Sequence, residues 1–85
     1  MNYTVHLKQS TEKELEDLPD HVHNRIVKRL LALEQNPRPR GVRKLRGRAE
    51  EYRLRVGDYR VLYVVDDAAQ VVEVIAIRHR REAYR

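Results

Sequence analysis

EYRLRVGDYRVLYVV, Glu51 to Val65, alternates apolar and polar residues on both sides of a Gly57–Asp58 pair. Alternation of this kind is the period of a β-strand, and Gly-Asp is a favoured two-residue hairpin loop because glycine accepts positive φ. A two-residue turn fixes the pairing. Val56 then opposes Tyr59, Arg55 opposes Arg60, and Arg53 opposes Leu62. Opposed residues share a face, so Tyr52, Leu54, Val56, Tyr59, Val61, Tyr63 and Val65 form one apolar surface. The other surface carries Arg53, Arg55 and Arg60 with Leu62 and Val64.

Like charges opposed across two strands are unfavourable by a few tenths to about 1 kcal/mol. Three guanidinium groups on one patch therefore call for an anion outside the hairpin. One reading has Glu73, Glu50, Glu51 or Asp58 neutralise the patch after all, or lets the arginines splay into water. The other makes the patch a phosphate site, since the planar arginine fork binds phosphate in bidentate fashion and stays charged at any cellular pH.

Working outward, NYTVHLK alternates Tyr3, Val5 and Leu7 with polar residues and predicts a strand. Thr11 and Glu14 have capping-box spacing ahead of Leu15 and Leu18, which predicts a short helix that Pro19 interrupts. Asp20 is placed to cap a second helix, in which Val22, Ile26, Leu30 and Leu33 recur on one face and Val27 and Leu31 widen it. NPRPRG ends that helix. A basic connector follows, with a short strand expected around Val42–Leu45. Extended segments are expected at Tyr52–Val56, Tyr59–Val65 and Gln70–Ile77, and the tail RHRREAYR is expected to end as a turn or short helix. A strand, two helices and then strands read as an α+β fold. The expected arrangement is a mostly antiparallel sheet, three to four strands after the helical hairpin, covered on one face by the helices.

The 85 residues are read as a single domain, 1–85, with one modest core. No cysteine is present, which suits a reducing compartment such as the cytoplasm. The N-terminal segment has no apolar run of a secretory leader, and no run approaches the length of a membrane span. The net charge is +5 and unevenly spread. Residues 38–60 carry nine basic and three acidic side chains, and residues 78–85 carry four basic and one acidic. Such one-sided blocks attract polyanions, nucleic acid above all.

The last block brings Arg78, His79, Arg80, Arg81, Tyr84 and Arg85 just after the final strand. Tyr84 offers a ring for stacking on a base, and His79 is the one histidine inside a basic block. His21 and His23 are two apart on a helix and point to different sides. No spacing suggests a metal site, and nothing resembles a glycine-rich phosphate loop, a nucleophile elbow or a carboxylate pair.

YRLRVGDYRVLYVVDD followed by RHRREAYR resembles the RelE/ParE superfamily of type II toxins, and the RelE-like branch in particular. The likeness spans nearly the whole chain, including LEDLP, the second helix ending in NP, and KLRG. It implies the RelE-like fold and a ribosome-dependent, metal-independent endoribonuclease. In such chemistry the ribose 2′-hydroxyl attacks the adjacent phosphate. It further implies a cognate antitoxin, contact with ribosome and mRNA, binding of operator DNA through the antitoxin, and no cofactor or membrane.

By that resemblance Arg53 and Arg55 stand where the family has two lysines, and Arg60 matches a phosphate-binding arginine. Arg80 matches an arginine that acts as transition-state stabiliser or acid, and Tyr84 a tyrosine that stacks on or orients the cleaved nucleotide. Arginine does not act as a base, so His79, Tyr84 and, more remotely, Glu51 are the candidates for that role. Arg43, Lys44, Arg46, Arg48, Arg78 and Arg81 are expected to contact RNA around the patch. Two other readings share the fold: a ParE-like toxin that inhibits DNA gyrase without cutting RNA, and a degenerate toxin acting as corepressor.

Overall fold

The structure is a computed structural model that describes residues 2–45 and 51–81. Strand β1 (Thr4–Leu7) leads into helices α1 (Gln9–Glu16) and α2 (Asp20–Leu33). Four strands follow: β2 (Arg43–Lys44), β3 (Glu51–Val56), β4 (Tyr59–Asp66) and β5 (Val71–His79). They form one five-stranded sheet in the order β1-β5-β4-β3-β2. Only the β1–β5 pair is parallel. The α+β architecture and the expected short strand in the basic connector are both present. The final strand runs two residues further than its sequence suggests, taking in Arg78 and His79.

The β3–β4 register is the one a two-residue turn dictates, with Val56 opposite Tyr59, Arg55 opposite Arg60 and Arg53 opposite Leu62. Gly57 has φ +59° and Asp58 has a negative φ. Positive φ at the first loop position alone is the pattern of a type II′ turn, whose twist matches the strands. The apolar face closes on α2. Ile26, Leu30 and Leu33 meet Leu54, Val56, Val61, Tyr63, Val65, Val72, Val74 and Ile77, all buried. Each such aliphatic side chain contributes on the order of 1.5–3 kcal/mol by leaving water.

Two helix starts differ from expectation. Thr11 is not a cap: it lies inside α1, is fully buried, and its hydroxyl has no partner among the described residues. Lys8 takes the cap position instead. Asp20 is the first residue of α2 rather than its cap, with Pro19 before it. The preset φ of proline opens the helix, and the Asp20 carboxylate sits by the positive end of the helix dipole.

At one end of the sheet a polar network fastens the segment that follows α2. Arg38 grips Asp67 through both terminal nitrogens, at 3.1 and 2.8 Å, and donates from Nε to the Tyr52 hydroxyl at 2.8 Å. Tyr3 donates to the same Asp67 carboxylate at 2.7 Å. These bonds to Arg38 and Tyr3 hold the Asp67 carboxyl below its usual range. Tyr63, stacked on Tyr52, donates its buried hydroxyl to the Pro37 carbonyl at 2.7 Å. The NPRP segment is thus bolted to the sheet from two sides.

Burial pushes the Tyr63 phenol from 10.0 up to about 12. A raised acid holds its stabilising contribution below the unfolded value and loses it as pH climbs through the folded one. Stability should therefore fall between about pH 10 and 12 by roughly 2–3 kcal/mol from this group. Tyr63→Phe should lose about 1 kcal/mol at neutral pH, from the orphaned Pro37 carbonyl, and show a shallower alkaline fall. Urea melts of both proteins across that pH range check it, and parallel curves would refute it.

Candidate nucleic-acid interface

On the face away from α2 the strands carry their side chains in rows. Arg43 of β2 opposes Arg53 of β3, and Arg53 opposes Leu62 of β4. The next row is Arg55, Arg60 and Arg78 on β3, β4 and β5. Farther along, the same face carries Glu51, Val64, Glu73 and His6. Cations therefore gather at the hairpin end of the face.

A β-bulge in β5 is needed to build this row. Tyr63 pairs with Val74 while Leu62 pairs with Ala76, so Ile75 is an extra residue. Before the bulge Val72 and Val74 face the core. After it the phase flips: Ile77 faces the core, and Ala76 and Arg78 face outward. One unpaired residue re-aims every side chain beyond it.

Three adjoining depressions make a groove around the hairpin. Gly41, Arg43, Arg53, Arg55 and Arg60 line one, and Arg55, Gly57, Asp58, Tyr59, Arg60 and Arg80 line the next. Asp58, His79, Arg80 and Arg81 line the third. Arg80 is fixed there by its backbone N–H, which donates to the Asp58 carbonyl at 2.6 Å. Arg55 lies along the turn, Nε donating to the Gly57 carbonyl at 3.1 Å. Among the described residues no carboxylate pairs with Arg43, Arg53, Arg55 or Arg80. The groove is a concave set of guanidinium groups, exposed at Arg43, Arg55 and Arg80 and half-buried at Arg53 and Arg60, suited to successive phosphates.

The remaining candidates divide. Arg81 lines the groove, whereas Lys44 pairs in register with Tyr52 and so belongs to the opposite side. Arg78 is in the arginine row by register but is ion-paired with Glu14 of α1. His79 opposes Tyr59 and sets its ring edge-on at 5.1 Å, on the side of the sheet facing the helices. Its Nδ1 accepts the Arg81 backbone N–H at 3.2 Å. Arg46, Arg48 and Tyr84 lie outside the described residues, as do Glu50 and Arg85. No group of three or more His, Cys, Asp or Glu side chains among the described residues is arranged to hold a metal. Glu14, the partner of Arg78, is disguised in the sequence because its spacing from Thr11 mimics a capping box.

The family model for the ParE toxin of the type II toxin–antitoxin system parDE matches residues 5–84. The chain belongs to the RelE/ParE superfamily of type II toxins. Toxin RelG of Mycobacterium tuberculosis is 30% identical over 100% of this chain and 99% of its own length. The archaeal RelE–RelB complex from Pyrococcus horikoshii contains a chain that superposes with a TM-score of 0.85 at 34% identity. That match covers 94% of this chain and 97% of that one. The intact E. coli RelBE toxin–antitoxin complex gives 0.81 at 29% identity, covering 91% and 95%. The RelE-like fold of this superfamily member is thus matched along nearly the full length of both partners.

The toxin's groove hangs on Gly57. A side chain there would face a left-handed φ, and a Cβ would stand 3.2 Å from Arg25 Nη1. Arg25 can swing aside, but the backbone penalty of about 1–2 kcal/mol cannot be relieved. Gly57→Ala should lose about that much in a urea melt, and Arg25→Ala should recover little of it. A loss below half a kilocalorie, or full recovery, would show that the turn is not held in this conformation.

Proposed function

We propose that this toxin is a ribosome-dependent endoribonuclease that cuts mRNA by attack of a ribose 2′-hydroxyl on the adjacent phosphate. The observation that carries the reading is the opposed Arg55–Arg60 pair with the Arg80 backbone tied to the turn beside it, in a groove that carries no carboxylate partner for Arg55 or Arg80 among the described residues. Charge accumulates on the phosphate oxygens as the 2′-oxygen attacks, and preset guanidinium donors stabilise that charge more than the ground state. Arg55 and Arg60 hold the scissile phosphate, Arg80 meets the developing charge, and Arg43 and Arg53 seat the neighbouring phosphate. Tyr84 stacks on the cleaved nucleotide.

Arginine does not release its proton at cellular pH, so a base would come from His79, which lines the third depression, or from Tyr84. The arginines of the groove contribute orientation and charge stabilisation. Such a catalyst depends on a substrate presented in near-attack geometry, which the decoding site supplies. The positive groove also suits an antitoxin. We assign the toxin a cognate partner, as RelE has RelB in the P. horikoshii and E. coli complexes. An acidic or amphipathic segment of it would cover the arginines, and the pair would reach operator DNA through the antitoxin. The setting is the cytoplasm, where mRNA is translated.

Primer extension on translated mRNA after brief induction tests this. Codon-phased cuts should appear with the parent toxin. Arg80→Ala should weaken them by about 10²–10³-fold, the cost of removing one preset charge-stabilising donor, and Arg55→Ala with Arg60→Ala should abolish them. Undiminished cuts in these variants would sink the assignment. The match to a ParE model favours one other reading, an inhibitor of DNA gyrase, for which cleaved plasmid trapped with gyrase and uncut mRNA would be the signature.

A further inference from the structure

The register makes Arg78 the third member of the Arg55–Arg60–Arg78 row, yet Arg78 lines none of the three depressions described above. Helix α1 is the cause. Strand β1 pairs only with Val71–Val74 of β5, so the edge of β5 beyond Val74 is left to α1. Glu14 closes that edge. Its Oε1 accepts the Ile77 N–H at 3.3 Å, and its Oε2 pairs with Arg78 Nη1. Arg78 Nη1 also donates to the Ile77 carbonyl at 3.0 Å. The guanidinium is thereby folded along the strand edge instead of over the row.

We infer that Glu14 is a specificity-determining residue, which withholds Arg78 from the anion groove and so sets the boundary of the RNA footprint on the β5 side. The inference rests on the RNA reading of the groove. A carboxylate bordering a phosphate site would repel the strand if bare. Paired with Arg78 it forms a neutral wall. RNA then meets Arg43, Arg53, Arg55, Arg60 and Arg80, and the strand stops at Arg78. Releasing Arg78 would add one phosphate contact. The side chains remain 38% and 33% exposed, so the released fork would be open to solvent and to RNA.

Anisotropy titration with a single-stranded oligoribonucleotide, methylated at its 2′-hydroxyls so that it resists cutting, reads the number of phosphates through the salt dependence of binding. Each phosphate neutralised on a single strand adds about 0.7 to the slope of log K against log salt. Glu14→Gln keeps an acceptor for the Ile77 N–H and should steepen the slope by about 0.7. Adding Arg78→Ala to it should return the slope to that of the parent. Glu14→Ala should steepen it equally even if it melts earlier. A parental slope in Glu14→Gln, or a gain that survives removal of Arg78, overturns the inference while leaving the RNA reading intact. Arg55→Ala with Arg60→Ala serves as the separate check, and an unchanged slope there would overturn both.

Discussion

The left-handed turn at Gly57 is the constraint on which the rest depends. It fixes the β3–β4 register, and in a strand pair the register decides which side every residue faces. A slip of β3 by one residue against β4 would turn Arg53 and Arg55 toward the core side and expose Tyr52, Leu54 and Val56. Burying unpaired guanidinium groups costs several kcal/mol each, so the alternative register is not a competitor. Core and groove are therefore two sides of a single geometric decision.

The two ends of the sheet use the same residue type for opposite purposes. At one end Arg38 is satisfied by Asp67 in bidentate fashion and by the Tyr52 hydroxyl, and it also lies over the Tyr52 ring at 5.3 Å. That arginine is a fastener. At the other end Arg55 and Arg80 find backbone carbonyls or geometry but no carboxylate among the described residues. Those arginines keep their charge available. Arg78 falls between the two cases, placed in the row by β5 and drawn off by α1.

This arrangement bears on how a toxin of the RelE/ParE superfamily with an all-arginine hairpin would work. Guanidinium groups bind and polarise phosphate well but move no proton. On the RNA-cleaving reading proposed above, such a chain would rely on orientation and electrostatics, both supplied by a rigid sheet rather than by a loop. The backbone bond from Arg80 to Asp58 serves the same end, because it ties the segment after β5 to the hairpin tip and leaves little freedom in where Arg80 begins.

Local sequence determined the hairpin and everything that follows from alternation over a few residues: the inner apolar set, the outward Arg53, Arg55 and Arg60, the two amphipathic helices and the order of elements. Those signals are local, because a two-residue turn and a period of two or 3.6 are written in consecutive residues. The tertiary structure alone decided the rest. The bulge at Ile75 reverses the phase of β5 and turns Arg78 outward and His79 toward Tyr59, which alternation read straight through the strand cannot show. Parallel pairing of β1 with β5 brings α1 to an open strand edge, and there Glu14 meets Arg78, 64 residues away in sequence. Contacts of that separation come from how elements dock, so the same Thr11–Glu14 spacing that looks like a cap in the sequence becomes, in the folded chain, a buried hydroxyl and a carboxylate that closes the sheet.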